Sequence, residues 1–259
     1  TGKSTLAYYL AGRVSPSGRI VLIDLEGSAR SEYLQSAVGQ SGFPGEIYRI
    51  SAEENGDPRT HEAMLKEGAN YLLDEGVAAV ILDSAAMVQP VVEREGDLDE
   101  AFMGRRAQVL AKFTRRYVAW LNSVEDDKLV IVVNHQLWDM QGYGKTSPGG
   151  DTLKFGIGAR IWITRSETIE NADGVFEAEI QVDKLRFGGR PAPKEKKEQV
   201  ARVVIIPGIG VSPELTALFD LMNYGLGRRG KGTGIVEIRE SENSSWEKLA
   251  KLTEMIGWA

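Results

Sequence analysis

Val80-Ile81-Leu82-Asp83-Ser84 is an apolar, β-branched run that ends abruptly in a carboxylate and a hydroxyl. A run without polar alternation suits a strand covered on both faces, as in a parallel sheet. Working outward, this run belongs to a predicted strand over 77–83, with others over 19–24, 129–134 and 160–164. Between them, amphipathic stretches over 4–12, 30–39, 60–75 and 99–123 predict helices. That alternation predicts an α/β fold, a mostly parallel central sheet flanked by crossover helices. Polar residues follow the first three strands at once: Asp24 and Glu26, Asp83 and Ser84, Asn134 to Gln136. In open parallel sheets ligands bind at that carboxyl edge.

The second half changes character. Residues 176–183 and 199–206 suit antiparallel strands joined by a polar, basic connector over 188–198. An amphipathic helix over 213–224, a basic glycine-rich turn over 227–234 and a short strand over 235–238 follow. The polar link 240–245 and a predicted helix over 246–256 then read as the possible start of a further domain. Residues 1–239 form the expected core and 240–259 its appendage.

Composition narrows the function. The chain of 259 residues, 42% apolar, can bury a sizeable core. It has no cysteine, which excludes disulfides and thiolate metal sites, and its two histidines, His61 and His135, argue against a zinc enzyme. No apolar run could cross a bilayer and no basic-then-apolar leader opens the sequence, so a cytoplasmic location without membrane partners is expected. The net charge of −6 argues against a generally basic coat but leaves room for a local basic groove.

Gly2-Lys3-Ser4-Thr5, followed by a helix, has the parts of a phosphate site: unpaired helix N–H groups, a lysine to neutralise phosphate charge and a hydroxyl for Mg²⁺. Alone, such a string recurs in many proteins. Asp83 could orient the water shell of the metal, or simply cap a helix. Glu26 could polarise an attacking water, or be a solvated loop charge. In this order, the three together predict a P-loop ATPase. Thr1 falls in the second half of the phosphate motif, so the chain is expected to be a fragment, and one that hydrolyses ATP weakly.

Further segments carry a resemblance. Asp83-Ser84-Ala85-Ala86-Met87-Val88-Gln89-Pro90, Glu95-Gly96-Asp97 and Phe102-Met103-Gly104 come first, then Val133-Asn134-His135-Gln136 and 148–155. Gly208-Ile209-Gly210-Val211 and 214–221 complete the set. In this order they resemble the bacterial RecA family of DNA recombinases, from Thr1 to about Ile238. Asn134-His135 and 182–186 are also similar to its phage-encoded branch.

The resemblance implies roles residue by residue. Gly2, Lys3, Ser4 and Thr5 would hold the ATP phosphates, with Ser4 and the Walker B Asp83 on Mg²⁺. Glu26 would be the catalytic carboxylate, Tyr33 the adenine-stacking aromatic and Gln136 the γ-phosphate sensor. Lys184 and Arg186 would reach ATP in a neighbouring protomer of a helical homo-oligomer, so catalysis would need a filament. Arg30 stands where the family has an acid, Arg186 replaces a lysine, and the second DNA loop, 137–152, is short.

Partners would be single-stranded and double-stranded DNA. Gly142, Gly144, Gly149 and Gly150 with Lys145 form either a backbone-tracking loop or an ordinary mobile one. Arg105, Arg106, Lys112, Arg115 and Arg116 give one helix an excess of cations, some of them simply solvated. Arg115, Gly149 and Gly150 match family phosphate-contacting positions and Met103 lies beside DNA in the family; Arg105 joins this expected interface. Two rivals share the ATPase core: a regulatory RecA-fold switch and a hexameric helicase. Segments 149–155 and 208–221 favour the recombinase.

Overall fold

A computed structural model describes residues 2–14, 18–54, 56–95, 104–125, 127–138, 145–169, 174–186, 200–229, 235–239, 241, 245 and 247–251. The chain divides into two compact units, Ala7–Ile157 and Thr1–Leu6 with Gly158–Ala259.

In the first unit, β1 (Arg19–Asp24), β2 (Ile47–Ile50), β3 (Val77–Asp83) and β4 (Leu129–Val132) form one parallel sheet in the order β2-β1-β3-β4. Side chains alternate across a strand, so each run feeds two cores. Ile20, Leu22, Ala79 and Ile81 pack with Ala7, Tyr8 and Ala11 of α1 (Lys3–Val14) and Leu34, Ala37 and Val38 of α2 (Ser31–Gly39). Val21, Ile23, Val80 and Leu82 face the other way. They meet Met64 and Leu65 of α3 (His61–Tyr71) and Leu110, Phe113 and Tyr117 of α4 (Arg105–Leu121). This two-sided cover is why the strands read as continuous apolar runs. Thr60 caps α3 by accepting the Ala63 N–H at 3.2 Å.

β2 was not expected from the sequence. It is four residues long with two exposed, Tyr48 and Arg49, so it shows no apolar run. Its backbone nevertheless completes the sheet beside β1.

The second unit is antiparallel. β5 (Ala159–Thr168), β6 (Phe176–Leu185), β7 (Ala201–Ile206) and β8 (Gly210–Ser212) lie in the order β8-β7-β6-β5. Residues 160–164, expected beside the parallel strands, therefore belong here. Local composition specifies a strand but not its direction, which β6 decides by pairing along the whole of β5. Val204, Ile206, Leu215 and Leu218 centre its core, the last two on α6 (Pro213–Asn223). Ser212 caps α6 through Leu215 N–H at 3.3 Å, with Pro213 in the first turn.

Two C-terminal expectations are corrected. The turn expected over 227–234 begins as a strand, β9 (Gly227–Arg229), paired with β10 (Ile235–Ile238). The helix expected over 246–256 is a strand, β11 (Glu247–Lys251), on the open edge of β10. An available edge outweighs a weak helical period, because strand propensity is set by neighbours. Residues 252–259 lie outside those described, as do 187–199, which hold the basic connector. Among the described residues no helix is long and apolar enough to cross a membrane.

Leu22, fully buried, tests the two-sided sheet. Leu22→Ala is expected to lower unfolding free energy by about 2–5 kcal/mol in a denaturant titration, against under about 0.5 kcal/mol for Val14→Ala on the exposed end of α1.

Candidate active site

The register of β1 and β3 sets Asp24 opposite Asp83 at the carboxyl edge. Backbone bonds lace this edge together: Leu25 N–H donates to the Asp83 carbonyl at 2.8 Å, Val133 N–H to that of Leu82 at 2.9 Å, and Ala85 N–H to that of Val133 at 2.9 Å. Asp24 and Asp83 are 2% and 1% exposed, and a buried carboxylate is tolerated only with partners. Asp24 Oδ2 accepts the Ala29 N–H at 3.2 Å, and Asp83 Oδ2 accepts the Tyr8 hydroxyl at 2.8 Å. Asp24 Oδ1 is buried with no hydrogen-bond partner among the described residues.

Glu26 stands two residues beyond β1. Its Oε1 accepts the hydroxyl of fully buried Ser84 at 2.6 Å and lies 3.3 Å from His135 Nε2. Asn134 fixes the backbone beside it, its Oδ1 accepting the His135 backbone N–H at 2.9 Å and its Nδ2 donating to the Pro148 carbonyl at 2.7 Å. The edge thus gathers Glu26, Asp83, Ser84 and His135. Gln136, the sensor implied by the resemblance, is exposed, and its neighbour His135 makes the contact with Glu26. Ser84 was given no role of its own from the sequence, and Tyr8 was not singled out. Ser84 directly follows Asp83, but Tyr8 lies 75 residues from its partner on an apolar helix face.

Beside the His135 ring this edge offers carboxylates and a hydroxyl, and Asp24 Oδ1 is buried without a hydrogen-bond partner among the described residues. That chemistry fits a hard divalent cation such as Mg²⁺. Tyr33, half-buried on α2, meets Tyr8 edge to face at 6.5 Å.

In the other unit, Lys3, Ser4 and Thr5 open α1, Thr5 being buried. Gly2 has φ +76°, and a Cβ there would stand 2.3 Å from Ile205 Cδ1. The backbone entering α1 therefore requires glycine. Lys184 is paired across strands with Arg160, which bonds Asp183 at 3.1 Å. Desolvation, then the charges of Arg186 and Arg160, hold the Lys184 ammonium below its usual range. This is a concentrated cationic patch at one end of β5 and β6, suited to an anion.

Of the expected DNA residues, Met103 lies outside those described, and so does the side chain of Lys145, whose backbone pairs with Trp138. Arg105 and Arg115 are exposed on α4, Arg105 reaching Gln108 Oε1 at 3.4 Å. Arg106 pairs with Glu93 at 3.7 Å and Arg116 covers Trp120 at 5.6 Å, so with Arg105 three of the five α4 cations have local partners. Arg115 lines a largely apolar cleft of about 580 Å³ between α4 and α5 (Gly150–Gly156), with Val118, Thr152 and Phe155. Gly149 and Gly150 start α5, both with positive φ. Gly149 is buried, and a Cβ on it would stand 2.6 Å from Leu153 Cδ2.

The model of the RecA N-terminal domain family matches residues 1–202. The chain belongs to the RecA family. Protein RecA of Methylococcus capsulatus is 30% identical over 202 residues, covering 72% of this chain and 56% of the relative. Protein RecA of Haemophilus ducreyi is 28% identical over 257 residues, 93% of this chain and 65% of the relative. Protein RecA of Clostridium botulinum, strain Eklund 17B, is 25% identical over 255 residues, 95% and 62%. The chain thus spans between half and two-thirds of the length of these relatives. Its parallel sheet with added antiparallel strands is a RecA-like α/β core.

Two predictions follow from this geometry. Burial, then the charge of Asp83 and its hydrogen bond, push the Tyr8 phenol far above its ordinary 10.0, and burial does the same for Tyr117. Folded values above the unfolded one mean that this stabilisation is complete below pH 10.0 and is lost as pH rises beyond it. In an ultraviolet titration between about pH 9 and 12, Tyr8→Phe is expected to leave the tyrosinate amplitude unchanged while the chain stays folded; loss of one tyrosine's amplitude would contradict it. Gly149→Ala is expected to destabilise by more than about 1 kcal/mol, from the left-handed backbone and the Leu153 clash together, read in thermal melts.

Proposed function

We propose that this chain is the ATPase core of a DNA recombinase, which assembles on single-stranded DNA in the presence of ATP and Mg²⁺ and exchanges strands with duplex DNA. The observation that carries this reading is Glu26, its Oε1 held by Ser84 and His135 beside the buried Asp83, in a chain of the RecA family. Two contacts on one oxygen fix the carboxylate plane and leave Oε2 to take a proton from an attacking water. Lys3 neutralises phosphate charge, Ser4 and Asp83 hold the metal and its waters, and Tyr33 lies against the base. Mg²⁺, when bound, neutralises charge building on the β- and γ-phosphates.

Lys184 and Arg186 serve the nucleotide of an adjoining protomer, and the crowding of Lys184, Arg186 and Arg160 is one that an anion would relieve. His135 links the hydrolytic carboxylate to the segment 137–150, because Asn134 ties it to Pro148. Arg105, Arg115, Lys145 and Gly150 contact the DNA backbone without reading sequence, so affinity falls steeply with salt.

Electron microscopy with single-stranded DNA and a non-hydrolysable ATP analogue tests the assembly. A continuous helical filament is expected; closed rings would favour a helicase, and no assembly a regulatory ATPase. Glu26→Gln is expected to lower DNA-stimulated hydrolysis by about a hundredfold or more while nucleotide still binds. Hydrolysis at the wild-type rate would remove Glu26 from the chemistry.

A further inference from the structure

Tyr8 carries a buried hydroxyl that the nucleotide reading leaves unused. It is 2% exposed on α1, the helix that Lys3 and Ser4 open, and its hydroxyl donates to Asp83 Oδ2 at 2.8 Å. Ser4 and Tyr8 are four residues apart and share a helix face. The bond crosses from α1 to the end of β3, whereas the hydrophobic contacts of the ring with α2 and the sheet would be met equally well by phenylalanine. The hydroxyl is therefore the informative atom.

We infer that Tyr8 is a positioning residue for Asp83: its hydroxyl takes one carboxylate oxygen, fixes the plane of the group and sets the direction in which Asp83 meets the metal's water shell. The inference rests on the nucleotide reading above. Two further observations support it. Asp83 is 1% exposed, so water cannot replace the lost donor at low cost. Asp24, its register partner, is a second buried carboxylate, and without the hydroxyl two like charges would face each other across one sheet edge with one donor fewer.

Tyr8→Phe keeps the ring and its edge contact with Tyr33 and removes only the oxygen. Binding of a fluorescent ATP analogue is titrated with Mg²⁺ and repeated in EDTA. The variant is expected to need about tenfold more Mg²⁺ for half-maximal tight binding, the scale of a hydrogen bond to a charged group, with unchanged affinity in EDTA. In an Asp83→Asn background the same substitution is expected to change the Mg²⁺ midpoint little, because the partner is gone. An unaltered midpoint in Tyr8→Phe, or an equal shift with and without Asp83, overturns the inference. If wild-type protein binds no nucleotide in either condition, the nucleotide reading fails and the inference with it. Should Tyr8→Phe not fold, a wild-type structure with Mg²⁺ and ADP decides: the Tyr8–Asp83 bond is expected to persist, and separation beyond hydrogen-bond distance overturns the proposal.

Discussion

Parallel pairing of β1 with β3 is the constraint on which the site depends, because it sets Asp24 against Asp83 and delivers both to one edge of the sheet. The pairing is held by hydrophobic cover on both faces, through Ile20, Leu22, Ala79 and Ile81 on one side and Val21, Ile23, Val80 and Leu82 on the other. Each fully buried aliphatic side chain contributes about 1.5–3 kcal/mol relative to exposure. A slip of one residue would exchange the faces along the whole strand, so burial enforces the register that the carboxylates need.

From that register the rest of the edge follows. Once Asp83 ends β3, Ser84 comes next in the chain and reaches Glu26, which overhangs β1 by two residues. β4 ends one strand farther along, and Val133 continues the backbone ladder to Leu82 and Ala85. The next two residues then turn back: Asn134 holds Pro148 and His135 approaches Glu26. Short hydrogen bonds from buried donors make this edge stiff, which preorganised electrostatics requires.

How much of this was legible follows from where the information lies. Strands 19–24 and 77–83 were readable to the residue because two-sided burial writes itself as an uninterrupted apolar run. Glu26, Asp83 and Ser84 follow such runs directly. β2 left no such trace, being half exposed, and the direction of β5 depends on a partner that the local sequence does not name. The edge of β10 turned a helical-looking segment into β11. His135 meets Glu26 from beyond the end of β4, where no strand periodicity sets the side chains, so this contact is a tertiary property. Tyr8 was hidden for the opposite reason: it reads as a core aromatic, and only the fold shows a carboxylate at its hydroxyl.

The most direct test of the central claim is a high-resolution structure of this chain with Mg²⁺ and a non-hydrolysable ATP analogue. The expected density places the terminal phosphate at the carboxyl ends of β1 and β3, with Asp83 in the metal's water shell and Glu26 beside the water in line with the γ-phosphate. Nucleotide density away from that edge, or a metal without Asp83 in its surroundings, would contradict it.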